Sequence, residues 1–101
     1  MEKYNDFKLN LDVFGGFITA PDIRYFESGK AKCTFAIPLK KDKDSDPLWL
    51  NCECWGKLAE KVGELEKGTE VLVFGYLKEN EYKDKAGKDK KNIIFVVKGL
   101  I

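Results

Sequence analysis

From Ala31 to Leu39 the chain reads AKCTFAIPL. Ala31, Cys33, Phe35, Ile37 and Leu39 alternate with Lys32, Thr34, Ala36 and Pro38, a period of two that predicts a strand with its apolar set facing a core. Pro38 marks a sheet edge or the strand's end, because it cannot donate to a ladder. Upstream, FKLNLDVFGGFI (7–18) also reads as a strand, and its Gly15-Gly16 pair predicts a bulge or sharp bend. APDIRYFESGK (20–30) reads as a turn, a short extended piece and a second turn at Ser28-Gly29. KKDKDSDP (40–47) is a loop of mixed charge, and WLNCECW (49–55) is a further strand. The period then changes: in GKLAEKVGELEKG (56–68), Leu58, Val62 and Leu65 recur at helical spacing and Gly68 can end the helix. TEVLVFGYLKENEY (69–82) is a long strand, and KDKAGKDKK (83–91) is a hairpin tip turning at Ala86-Gly87. NIIFVVKGLI (92–101) is a last strand, apolar on both faces, so another surface is expected to bury part of it.

The order strand, strand, strand, helix, strand, strand predicts an all-β fold. It is that of a five-stranded OB-fold barrel, with one short helix between the third and fourth strands and a long hairpin joining the fourth and fifth. The helix is short enough to plug one end of the barrel. Closure also removes most of the edge-strand hazard of so apolar a set. No repeat, linker or low-complexity tail interrupts the 101 residues, so a single domain over 1–101 is expected.

Charge changes this picture little. The 18 basic residues nearly balance the 17 acidic ones, so an anion-binding role must come from local placement of lysines. The chain has no histidine, the commonest general base and metal ligand. No run approaches the ~18 apolar residues of a membrane span, and MEKYNDFKLN has no signal-peptide core. Three cysteines make an odd count, which speaks for a reduced, cytoplasmic protein.

Side chains on a strand alternate faces. Trp49, Asn51, Glu53 and Trp55 therefore share one face, and Leu50, Cys52 and Cys54 share the other. The second set suits a core. The first is polar with an indole at each end, some 20 Å apart at roughly 3.3 Å per residue. Each indole can take a base, or cap the core, or enter a subunit interface; composition alone favours packing, and Asn51 and Glu53 between them speak for exposure. Three cysteines without histidine, two of them in CxC spacing, do not make a structural zinc site, so no metal or other cofactor is expected. The hairpin KENEYKDKAGKDKK (78–91) carries six lysines, four acids and Tyr82. Such an arm is either a solubilising tip or a clasp in which lysines track phosphates and the ring stacks a base.

Catalysis finds no footing. Metal-dependent phosphodiester cleavage needs clustered carboxylates. Here the acids are scattered through lysine-rich loops and along the helix, and no nucleophile elbow or phosphate loop appears. A non-catalytic single-strand binder and a protein-docking module remain.

PDIRYFESGKAKCTFAI, then a tryptophan six residues before WGKLAE, then GYLKENEYKDKAGKDK, resembles the bacterial single-stranded DNA-binding protein family over roughly residues 9–99. That family carries a D-P-E-x-R-Y turn, a tryptophan ahead of F-G-K-L-A-E, and a G-x-L hairpin with a tryptophan. The resemblance implies sequence-tolerant binding of single-stranded DNA, or RNA, in replication, recombination and repair, with a nucleoid-associated location. It implies that Trp49 stacks on bases, that Trp55 stands for a stacking phenylalanine and that Tyr82 stands for the hairpin tryptophan. It makes Lys57, Arg24 and Lys78 candidates for phosphate contacts. The loop at 40–47 lacks the family's aromatic, and Glu79 and Glu81 put acids on a usually more basic hairpin; both predict weaker binding or a shorter footprint. The chain stops at VVKGLI, and nothing in it resembles the family's acidic tail for recruiting repair proteins. A trimmed domain or a short tailless relative is expected, such as a primosomal, replication-restart accessory protein acting through protein contacts. The family also implies a homo-oligomer, a tetramer in preference to a dimer. In EVLVFGYL, Val71, Val73 and Leu77 are expected to face the core, leaving Leu72, Phe74 and Tyr76 as an outward apolar stripe suited to an oligomer interface.

Overall fold

The computed structural model describes residues 11–40, 42–44 and 46–101. Among these, the elements in chain order are β1 (Asp12–Phe17), β2 (Asp22–Tyr25), β3 (Ala31–Leu39), β4 (Leu48–Trp55), α1 (Gly56–Gly63), β5 (Glu70–Lys83) and β6 (Asp89–Leu100). They form one sheet in the order β1-β5-β6-β4-β3-β2. Neighbours are antiparallel except β4 and β6, which run parallel through Cys52–Phe95 and Glu53–Val96. Beyond β1 the chain crosses to β3: the Thr19 N–H donates to the Ala36 carbonyl at 2.9 Å, and the Ala36 N–H donates to Thr19 Oγ1 at 2.9 Å. That crossing curls the sheet into the expected barrel.

The strand count is six, one more than expected. Asp22–Tyr25, read as a short extended piece, pairs with β3 from Asp22–Thr34 to Tyr25–Ala31. Its turn is closed by Phe26 N–H to Lys30 O at 2.9 Å and Gly29 N–H to Phe26 O at 2.8 Å. The helix accordingly stands between β4 and β5. The strand expected from residue 7 begins at Asp12 within the described residues; positions 7–10 lie outside them, as do Lys41 and Ser45 of the charged loop.

Gly15-Gly16 makes no bulge, for the β1–β5 register runs unbroken from Asp12–Gly75 to Phe17–Glu70. Gly16 answers a close approach instead, since a Cβ there would lie 2.7 Å from Ile37 Cγ2. The bulge sits in the other pair of strands. Phe74 faces Gly99 and Gly75 faces Val97, leaving Lys98 as the extra residue. A Cβ on Gly75 would fall 1.9 Å from the Val96 carbonyl oxygen, so only glycine lets the strands cross there.

The core follows the alternation. Ala31, Cys33, Phe35 and Ile37 of β3, Leu50, Cys52 and Cys54 of β4, and Phe95 and Val97 of β6 are buried together, with Phe14 edge-on to Phe95 at 5.0 Å. Val96 points to the outer face and is still buried, set between its register partners Glu53 and Tyr76. All three cysteines are free thiols, and burial pushes Cys52 and Cys54 up to about 12. Helix α1 buries Ala59 and Val62 over β3, β4 and β2. It stops at Gly63, five residues short of the expected Gly68. Glu64 and Leu65 donate three residues back, to Lys61 and Val62, and Gly68, at φ 87°, donates to Ile18 O at 2.8 Å and turns the chain into β5. No helix among the described residues is long and apolar enough to cross a membrane.

Candidate functional site

Strand β4 presents its two sets as the pattern predicts. Leu50, Cys52 and Cys54 lie in the core, while Trp49, 52% exposed, and Asn51 face outward. Three open grooves join end to end, from the barrel's edge beside Trp49 along this outer face. The first, about 540 Å³, is lined by Trp49, Asn51, Leu77 and Asn92. The second, about 380 Å³, shares Asn51 and passes Ala36, Ile94, Glu53, Thr34 and Lys32. The third, about 340 Å³, shares Lys32, Thr34 and Asp22 and reaches Arg24 and Phe26. The result is one track along β4 and β3, with an aromatic at each end.

Glu53 holds the middle. It shares the outer face with the tryptophans, yet it is only 3% exposed. Its Oε2 accepts from Trp55 Nε1–H at 3.0 Å and from Lys78 Nζ at 3.2 Å, and Lys32 Nζ stands 3.8 Å from Oε1. Burial alone raises its pKa, but the two hydrogen bonds and the charges of Lys78 and Lys32 outweigh burial and hold the carboxyl below its ordinary value. The carboxylate fixes an indole and two ammonium groups beside the groove. By alternation alone, Glu53 is no more than a polar spacer between the two tryptophans. Its partners come from β3 and β5, and only the strand register brings them in.

Trp55 is half-buried. The Phe26 ring lies on it at 5.8 Å between centroids and 18° between planes, and Lys30 and Lys32 Nζ stand 5.0 and 5.1 Å from its centroid. Phe26 is not among the residues expected at the site. An aromatic directly after the Arg-Tyr pair, at the start of a Ser-Gly turn, was the available signal.

On the β5–β6 arm, alternation separates the charges. Lys78, Asn80 and Tyr82 share one face and pair with Ile94, Asn92 and Lys90. Glu79 and Glu81 lie on the other face, where each meets Lys91, at 4.0 and 3.9 Å. The two acids therefore do not line up with Tyr82 and Lys78. At the tip, Asp84 Oδ1 accepts the Ala86 and Lys88 N–H groups at 2.9 Å each. Arg24 is exposed and paired with Asp22 at 3.3 Å. Lys57 is exposed at the start of α1, two residues after Trp55.

A second outer surface lies across β1 and β5. Leu72 and Tyr76 are exposed and Phe74 is half-buried, as expected of an outward stripe. β1 widens it, since Val13 pairs with Phe74, and Phe17 and Leu11 are exposed beside it. Leu77 departs from expectation. It has the inward parity but is 44% exposed, because β5 there has run past the barrel wall into the arm, where Leu77 lines the Trp49 groove.

The sequence model of the Single-strand binding protein family matches residues 10–100. The Single-stranded DNA-binding protein of Thermosynechococcus vestitus is 37% identical over 83 residues, covering 79% of this chain and 69% of the relative. Single-stranded DNA-binding protein 1 of Nostoc sp. is 39% identical over 69 residues, covering 66% of this chain and 58% of the relative. The Single-stranded DNA-binding protein of Paenarthrobacter aurescens is 36% identical over 94 residues, covering 83% of this chain and 54% of the relative. The chain thus spans between about half and two-thirds of the length of these relatives.

Proposed function

This chain belongs to the single-strand binding protein family, and from that premise we propose that it binds single-stranded DNA, without catalysis and largely regardless of sequence. The observation that carries the reading is the continuous track from Trp49 to the Phe26–Trp55 stack. Trp49 and the Trp55 stack supply flat π faces, which accept any base and so give tolerance of sequence. Lys32, Lys78 and Arg24 lie along the track to meet phosphates, with Lys57 near its Trp55 end in sequence. Tyr82 continues the outer face onto the arm, on the side free of Glu79 and Glu81. The named relatives are single-stranded DNA binders. In this reading the protein protects exposed strands during replication, recombination and repair in the cytoplasm, at the nucleoid. A stacking platform has no built-in test for the 2′-hydroxyl, so RNA is a second ligand to assay.

The apolar surface formed by Leu72, Phe74 and Tyr76 with Val13 serves a second copy of the chain, in a homo-oligomer that is a tetramer before a dimer. So many exposed apolar side chains side by side favour burial in an interface over exposure.

The test is intrinsic tryptophan fluorescence during titration with a poly-thymidine oligonucleotide at low and high salt. Quenching that salt weakens is expected. No quenching, with blue-shifted emission, would return both indoles to packing. It would favour instead an accessory protein that works through protein contacts.

A further inference from the structure

At the far end of the track the ring offered to solvent belongs to Phe26. Trp55 is covered by Phe26, approached by two ammonium groups and tied through its Nε1–H to Glu53. Phe26 is 48% exposed and lines the third groove with Arg24, Lys32 and Thr34. Its backbone is pinned on both sides, the N–H donating to Lys30 O and the carbonyl accepting from Gly29 N–H. A stacking ligand needs a flat ring that is open on one side and held from behind. Phe26 has both properties, and Trp55 is what holds it.

The geometry points to Phe26 as a nucleobase-stacking residue of this chain, with Trp55 as its rigid backing and Lys30 and Lys32 set to meet a phosphate next to that base. The inference rests on the single-strand-binding reading and deepens it. A base landing here extends a stack of two parallel rings into three. Lys30 and Lys32 stand about 5 Å from the centroid of Trp55, so the phosphate flanking the stacked base meets cations already in place. The Phe26 ring also stands on the β2–β3 hairpin, at the opposite end of β3 from Leu39.

The test separates a π face from a mere apolar cover. Binding of an end-labelled thymidine oligonucleotide is followed by fluorescence anisotropy, with thermal melts alongside. Phe26→Leu keeps an apolar cover over Trp55 and removes the ring. It is expected to lose about tenfold in affinity, with an unchanged melt and an unchanged dependence on salt, while Phe26→Tyr restores binding. An oligonucleotide carrying 5-iodouracil, irradiated on the wild-type protein, is expected to leave an adduct on Phe26. Wild-type affinity in Phe26→Leu, or adducts on Trp49 or Trp55 with none on Phe26, overturns the inference and leaves single-strand binding standing. No binding and no adduct in the wild type removes both. If Phe26→Leu fails to fold, the wild-type cross-link decides.

Discussion

The β3–β4 face and the β1–β5 face are outer surfaces of one curled sheet, built from the same alternation, and they are furnished for different company. On the first, rings stand apart with Asn51, Glu53, Lys32 and Lys78 between them, and the carboxylate is used internally to aim two cations and an indole. On the second, Leu11, Val13, Phe17, Leu72 and Tyr76 form an apolar surface around Phe74. The first face suits a flexible, charged ligand that stays partly wet. The second suits a rigid apolar surface that excludes water. In an all-β domain the interior periodicity is the same on every strand, so function is written in the outward half of each pattern.

Phe74→Glu should break the comparison most severely. A charge placed in an apolar contact costs several kcal/mol, so the mass in light scattering should fall toward the 11.5 kDa of one chain. An unchanged mass would show that this face is not the assembly surface. Trp49→Ala should act on the other face alone, lowering oligonucleotide affinity by about 1–3 kcal/mol with no change of mass; a change of mass would join the two faces.

Glu53→Gln comes next. It keeps an acceptor for Trp55 but loses the charge that holds Lys78 and Lys32. As both lysines are partly exposed, the loss in stability should be about 1–2 kcal/mol at neutral pH. Because the folded-state pKa is lowered, this contribution is fully present above the unfolded carboxyl range, near 4.3. It drains away as pH falls through the lower folded value. Wild type and Glu53→Gln melts should therefore converge in acid, and parallel curves would refute the role. The smallest effect is expected from Arg24→Ala. Asp22 already pairs that guanidinium, so the salt slope of binding should change by less than the ~0.7 of one full single-strand phosphate contact.

Much of this was legible beforehand because alternation is a local property. It placed Cys33, Cys52 and Cys54 inside and Trp49 outside without knowledge of any partner strand. What stayed hidden depends on register or on where a strand leaves the barrel. β2 has four residues, too few to show a period. The Glu53 cluster joins residues 32, 53, 55 and 78 and exists only once β3, β4 and β5 are laid side by side. Leu77 has the parity of a core residue, and only the point where the arm departs from the wall exposes it. The helix end was missed because Leu65 packs against the core after the helical hydrogen bonds have stopped.

The three thiols sealed between β3, β4 and the helix make a clock out of the barrel. Alkylating reagents attack the thiolate, and here both access and ionisation are suppressed while the walls stay shut. Cys33 and Cys54 face each other directly across the β3–β4 seam. Their labelling would time how often that seam unzips, strand by strand, and a bound ligand lying across its outer side would slow the ticking.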